Sequence, residues 1–359
     1  MSSKFISFIS SLEDDVWHAQ TGRNAFESWH FDALSDDGRE AVIITFYDNY
    51  PFSSGYFENG KGVDGDPTSD QPFERFPAVS FCYSVDGRVV LQAINEITNG
   101  EFIAKNDKAE CRIGLSGFSA DSASYGTGFF VEIDVVAVRM RRIRAELEWL
   151  SVESDLSPKN ERTEILTVSR NMVSPRSDVS GRIALVGRRG KVRRMVHFRG
   201  TGSHDHFRSG KGLENVFQLG YSGRAHFIDS TAIFQHFSCE NEANSVSKLF
   251  LVRDGGIYER DIRSEFQNYE RSRYGQKLPG RLSFISADNI GFRVKPLKVI
   301  QTGAFEVRML SEMTLMLRDG KPRKTLGIAE FVTPGRVNSR LFRWVSGLRV
   351  GKEGKPPML

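Results

Sequence analysis

Dense turn signals, period-two alternation of apolar residues and very few helical runs predict an all-β chain arranged as two tandem β-barrel or β-sandwich domains. Asp-Gly pairs stand at Asp37-Gly38, Asp64-Gly65, Asp86-Gly87, Asp254-Gly255 and Asp319-Gly320. Both residue types tolerate the positive φ that a type I′ turn demands, so each pair marks the tip of a hairpin. A length of 359 residues exceeds what one core comfortably organises and suits about two domains.

From the N-terminus, Met1 to Leu12 is weakly apolar and lacks the basic lead, long apolar stretch and cleavage site of a signal peptide. Leu12 to Ala19 reads as a short helix. Trp29, Phe31 and Ala33 share one strand face before the first hairpin tip, and Ala41 to Phe46 follows as a dense apolar run. Phe129 to Val152 opens with FFVEIDVVAV and ends with Leu147 and Trp149 alternating against Glu146 and Glu148, so it reads as one or two strands. Arg260 to Tyr274, highly charged and free of Gly and Pro, is a second helical candidate. Met309, Met313, Leu315 and Leu317 point one way while Arg308, Glu312, Thr314 and Arg318 point the other. The polar stretch at Ser154 to Thr163 and the turn-rich stretch at Ser174 to Gly190 set a boundary near Gly190, giving domains 1–190 and 191–359.

Composition excludes several classes. Hydrophobic residues make up 39% and charged residues 26%, which is globular rather than disordered. No run of about 18 apolar residues forms a membrane helix. Cys82, Cys111 and Cys239 are odd in number and form no C-x-x-C pair, as expected of free thiols in the reducing cytoplasm. The net charge is +4, and the basic runs Arg139–Arg144 and Arg188–Arg199 read as solvated strand faces and hairpin tips. A nucleic-acid groove would interleave such runs with stacking aromatics, so no nucleic-acid partner is expected. Transient contact of these runs with a membrane surface stays open, as does the oligomeric state.

The chain lacks G-x-G-x-x-G after a strand, G-x-S-x-G and H-E-x-x-H. Gly55–Gly62 (GYFENGKG) approaches a phosphate-binding loop but ends in Gly62 where Ser or Thr would hold Mg²⁺. Five of the seven histidines fall between His197 and His236. His204 and His206 share a face if their segment is extended, and His226 and Asp229 follow. Three readings fit this spacing: a metal held by His204, His206 and His226, acid–base chemistry by one His or a His–carboxylate pair, or side chains bonding backbone at a turn.

Five blocks in order carry a resemblance: FESWHFDALSDDG (Phe26–Gly38), VIITFYDNYPFS (Val42–Ser53), NMVSPRSDVSG (Asn171–Gly181), RGTGSHDHF (Arg199–Phe207) and GRAHFID (Gly223–Asp229). Together they resemble the lipocalin-like hydratase superfamily, with its carotenoid 1,2-hydratases (hydroxyneurosporene synthases) and AttH-type proteins. The fungal decalin-forming Diels–Alderases use a related scaffold. The resemblance implies two tandem lipocalin-like β-domains, a pocket near their junction and no redox cofactor; neither a cofactor nor a metal is expected. It implies a hydratase, isomerase or cyclase acting on an apolar isoprenoid- or polyketide-like molecule. Hydration of an isolated double bond needs a proton donor, a carbocation-tolerant apolar cavity and one placed water. A pericyclic reaction needs a shaped cavity and one hydrogen bond.

Carried over residue by residue, the family's H-D-H block falls on His204, Asp205 and His206, and its later aspartate on Asp229. The resemblance makes His206 the proton or hydrogen-bond donor, with Asp229 and His204 beside it. Trp29, Glu27, Arg208, Tyr221, His226 and Phe227 are the candidate substrate contacts. Arg208 stands where the family has tryptophan and Phe227 where it has tyrosine. Both departures weaken the carotenoid reading and keep a non-catalytic lipid- or metabolite-binding protein as the alternative, while Arg208 suits an anionic or carbonyl-bearing substrate.

Overall fold

A computed structural model describes residues 6–22, 24–59, 74–123, 126–156, 168–239, 245–318, 320–352 and 354–358. The N-terminal part carries β1 (Ser7–Ile9), β2 (Phe26–Ser35), β3 (Glu40–Tyr47), helix α1 (Ser54–Asn59), β4 (Ala78–Val85), β5 (Arg88–Glu96) and β6 (Phe102–Ala104). It continues with β7 (Glu110–Ile113), β8 (Ser116–Ala123), β9 (Gly126–Ala137), β10 (Arg141–Glu153), β11 (Val168–Val186) and β12 (Val192–Ser209). Then follow β13 (Leu219–His226), β14 (Thr231–Ser238), β15 (Val246–Arg253), β16 (Gly256–Arg271), β17 (Lys277–Ser286), β18 (Gly291–Thr302), β19 (Glu306–Met316) and β20 (Pro322–Val332). Helix α2 (Arg340–Leu348) and β21 (Val350–Lys352) end the chain.

Strands β13 to β20 close a barrel in sequence order, β20 returning to pair with β13. The other strands form one curled sheet, ordered β21-β5-β4-β3-β2-β12-β11-β10-β9-β8-β7-β6, with β1 parallel on β11. A side chain helps to hold the curl: Asn95 on β5 donates to the Val136 carbonyl (2.9 Å) and accepts from its N–H (2.6 Å). Both expected β-units are therefore present, but the change of sheet falls between Ser209 and Leu219, not near Gly190. Gly190 instead lies in the turn joining β11 and β12, with φ +75°. Pairing along β2 keeps β12 in the first sheet, and β21 brings the C-terminal strand back to that sheet through β5.

Asp86-Gly87 and Asp254-Gly255 have positive φ at both positions, as a type I′ turn requires. Asp37-Gly38 also joins a hairpin, with only Gly38 at positive φ (+68°). Asp64-Gly65 and Asp319 lie outside the described residues. Phe129 to Val152 forms two strands, β9 and β10. Both helical expectations fail. Arg260 to Arg271 belongs to β16, where Ile262, Ser264 and Phe266 turn inward against exposed Arg263, Glu265 and Gln267. Pairing on both sides outweighs a composition that only permits a helix. Leu12 to Ala19 is irregular because its polar side chains reach across the first sheet, Asp15 to His204 at 2.9 Å and His18 to Glu27 at 3.2 Å. The basic runs behave as expected at the hairpin tips, Arg142 and Arg144 pairing with Asp134 at 2.7 and 3.1 Å.

The first sheet encloses Trp29, Phe31, Phe46, Phe81, Phe129 and Trp149, and the barrel encloses Phe234, Phe284, Phe292 and Leu282. A third apolar cluster, with Phe26, Phe52, Phe217, Phe237 and Phe305, joins the two units. Beside it lies buried Asp205, whose carboxylate takes Arg170 of the first sheet (2.7 Å) and Arg224 of the barrel (2.6 Å). Arg170 also donates to Gln235 of the barrel at 3.1 Å. Removing one member of such a group strands charge in a dry site, at a cost of about 3–5 kcal/mol. Asp205→Ala should therefore lower the unfolding free energy measured in urea by that amount, and the midpoint with it, because two guanidinium groups lose their counter-ion. An unchanged midpoint would show that the junction does not depend on this carboxylate.

Candidate active site

The register of β2 against β12 sorts the functional residues. Glu27, Trp29 and Phe31 lie opposite Arg208, His206 and His204, and Ser28 and His30 lie opposite Phe207 and Asp205. With period two, the first group turns into the sheet's interior and the second toward the barrel. Gly200 and Gly202 allow the close approach: a Cβ at Gly202 would meet the Asp32 carbonyl at 2.2 Å and the Trp149 indole nitrogen at 2.8 Å.

On the interior side, the N-terminal segment completes a polar cluster. Asn171 on β11 holds that segment through the Ser11 N–H (3.0 Å) and carbonyl (2.8 Å). The chain then reaches the far edge of the sheet, where the Trp17 N–H donates to the Lys105 carbonyl. Between these anchors it supplies Asp14, Asp15 and His18. His206 places Nε2 at 3.1 Å from Glu27 and Nδ1 at 3.4 Å from Asp15, and stacks on Trp29 at 4.7 Å. His204 reaches Asp15 at 2.9 Å and lies flat on Phe31 at 3.9 Å. Arg208 binds Ser169 (2.8 Å) and Asp14 (3.2 Å).

The cluster is electrostatically matched. Burial opposes the charge on His206, but Asp15 and Glu27 outweigh it and lift the ring to about 9. Burial likewise opposes the Glu27 carboxylate, but His18 and His206 hold it down at about 2. Nearby Asp48 accepts from the Glu27 N–H at 2.6 Å and pairs with Arg75 at 2.6 Å. Burial, despite Arg75 and with the Glu27 charge adding to it, raises Asp48 to about 7.

On the opposite side, a cavity of about 100 Å³ lies between the two units. Its lining combines apolar Phe26, Phe52, Phe207, Phe217 and Phe237 with polar His30, Thr45, Tyr47, Arg170, Asp205 and Arg308. His30 Nδ1 lies 2.9 Å from the Thr45 hydroxyl, and its Nε2 lies 3.7 Å from Asp32. Arg308 is paired with Glu330 at 2.6 Å and Glu306 at 3.3 Å. Burial, together with the charge of Glu306, keeps the Tyr47 phenol protonated well above its usual range.

No known family profile matches the sequence. A curated relative, the hydroxyneurosporene dehydrogenase of Chlorobaculum tepidum, is 22% identical over 352 residues, spanning 95% of this chain and 91% of its own. The AttH-type protein of Nitrosomonas europaea superposes with a TM-score of 0.60 at 14% identity, over 90% of this chain and 96% of its own. CghA, solved with Sch210972, gives 0.56 at 13% identity over 87% and 89%. Kievitone hydratase from Nectria haematococca gives 0.51 at 8% identity over 92% and 96%. The resemblance read from the sequence holds. The fold of these solved proteins extends over nearly the whole chain.

Of the sequence-predicted site residues, the structure gathers His204, His206, Glu27, Trp29 and Arg208 in the sheet interior. Asp229 does not join them. It is exposed beyond β13 and pairs with Arg323 at the barrel surface. The carboxylates on His206 are Asp15 and Glu27 instead. Tyr221 and Phe227 are buried in the barrel core, Tyr221 packing on Phe266 and Phe331. His226 bonds Thr231 at 3.2 Å on the barrel strand β13, burial lowers it to about 3, and among the described residues it forms no metal-spaced group with His204 and His206. Sequence reasoning missed Asp14, Asp15 and His18, which lie in the segment expected to be a helix, and left His30, Arg170, Arg224 and Arg308 outside the candidate set.

The raised His206 predicts a pH window. Its contribution is fully present below 6.5, the ordinary value, and is lost as pH rises through about 9. A shift of this size is worth on the order of 3 kcal/mol. Urea unfolding at pH 6.5 and 9 should show wild type losing that stability and His206→Asn losing much less. Equal losses in both proteins would remove His206 from the linkage.

Proposed function

We propose that the chain is an enzyme that hydrates, isomerises or cyclises an apolar isoprenoid- or polyketide-like molecule in the junction cavity. The observation that carries this reading is the cavity's mixed lining, in which aromatic rings stand with ion-paired side chains and an imidazole–hydroxyl pair, His30 with Thr45. Among the relatives, the name kievitone hydratase fits the addition of water, and hydroxyneurosporene dehydrogenase shares with this reading only an apolar substrate.

His30 is the acid–base group of this proposal. It lines the cavity, Thr45 holds one ring nitrogen, and Asp32 lies near the other. His206 is less suited to that role, because it faces away from the cavity and both its nitrogens meet carboxylates. Its place is to fix β2 against β12. Tyr47 serves as a second donor toward an oxygen-bearing end of the substrate. Pockets for such ligands usually measure about 300–1,000 Å³. At about 100 Å³ the cavity receives the reacting end, and ring side chains such as Phe52 or Phe207 must turn to admit the rest.

One observation favours binding without chemistry: both arginines that line the cavity, Arg170 and Arg308, are already paired with carboxylates. Organic-solvent extraction of the purified protein followed by mass spectrometry separates the readings. Under the enzyme reading a bound polyene, terpenoid or polyketide is recovered and converted on incubation, and His30→Ala loses turnover by about 10²–10⁴-fold while still binding it. A ligand returned unchanged supports a carrier. Full turnover by His30→Ala leaves cavity shape alone, the pericyclic case.

A further inference from the structure

We propose that His18, Glu27 and His206 bind one divalent transition metal of the zinc class. The site lies on the interior side of β2 and β12, away from the junction cavity, so it does not rest on the function proposed above.

The first support is spacing. Glu27 Oε2 lies 3.2 Å from His18 Nδ1 and 3.1 Å from His206 Nε2. All three ligand atoms fall within 4.8 Å of one another. Metal bonds of about 2.0–2.1 Å at tetrahedral angles separate neighbouring donors by about 3.3 Å. An ion therefore enters between these atoms with only small movements of the side chains.

The second support is what stands behind each ring. His18 turns its other nitrogen, Nε2, to Asp14 at 3.2 Å. His206 turns Nδ1 to Asp15 at 3.4 Å. A carboxylate behind an imidazole keeps a proton on the far nitrogen and leaves a lone pair on the near one, the arrangement found behind metal-binding histidines. Both rings have it. Glu27 is fixed as well, accepting the His18 N–H at 3.0 and 3.1 Å and donating its own N–H to Asp48.

Charge and donor type agree. Asp14, Asp15, Glu27 and Asp48 gather here against the guanidinium groups of Arg208 and Arg75. Two imidazoles and one carboxylate select zinc-like ions over Mg²⁺ and Ca²⁺, which prefer oxygen alone. His18 is 23% exposed while Glu27 and His206 are buried, so an ion reaches the site past His18. The ion would clip the N-terminal segment to the paired strands β2 and β12.

The test uses the untagged full chain, stripped with chelator and titrated with Zn²⁺ by calorimetry and with Co²⁺ by visible absorption. One ion per chain and a four-coordinate Co²⁺ spectrum are expected. Because a buried His206→Ala variant risks misfolding, the deciding variant is the partly exposed His18→Ala, checked by circular dichroism. It should lose stoichiometric binding. Asp14→Asn should keep the stoichiometry and weaken affinity by about 10–100-fold. Zn²⁺ should raise the thermal midpoint of wild type and not of His18→Ala. A stoichiometry near zero, or Zn²⁺ binding that survives His18→Ala unchanged, overturns the proposal.

Discussion

The antiparallel pairing of β2 with β12 is the constraint on which the rest depends. It runs from Phe26 opposite Ser209 to Ser35 opposite Gly200 without a break. Because side chains alternate, the two strands form a wall with different chemistry on each face. Glu27, His204, His206 and Arg208 stand on the interior face, and His30, Asp205 and Phe207 on the face toward the barrel. A one-residue slip of β12 would drive the imidazoles to the junction and Asp205 into an aromatic core. The register is thus under strong pressure from both sides, and Gly200 and Gly202 permit the close contact it requires.

Each face balances its charges separately. In the interior, carboxylates from the N-terminal segment and β2 meet imidazoles from β12, so groups costly to bury alone become mutually supporting. At the junction, Asp205 gathers Arg170 and Arg224 and so ties the two units through charge as well as through apolar contact. The N-terminal segment is therefore part of the first sheet's interior rather than an appendage. Its irregular backbone follows from that, since its polar side chains are used across the sheet and not along a helix.

The hairpins, the two β-units and the shared face of Trp29, Phe31 and Ala33 were legible because they depend on residues close in sequence. Turn chemistry at Asp86-Gly87 and Asp254-Gly255 and period-two patterning are local properties. The pair His204 and His206 was legible for the same reason. The helix expected at Arg260 to Tyr274 failed because charge and the lack of Gly and Pro are weak local preferences. Two hydrogen-bonded neighbours, β15 and β17, override them. The domain boundary was misplaced because Ser174 to Gly190 leads into a long hairpin, and a hairpin tip carries the same turn residues as a linker.

By itself, the sequence determined an all-β chain, its hairpins, and which neighbours along β2 and β12 face the same way. Tertiary structure alone decided which residues answer each face. Asp15 and Glu27 meet His206, whereas Asp229, close to His206 in sequence, ends at the far surface of the barrel on Arg323. The physical reason is that alternation fixes a side chain's direction and says nothing about what lies there. That depends on sheet order, on the curl that brings β5 to β9, and on an N-terminal segment anchored by Asn171.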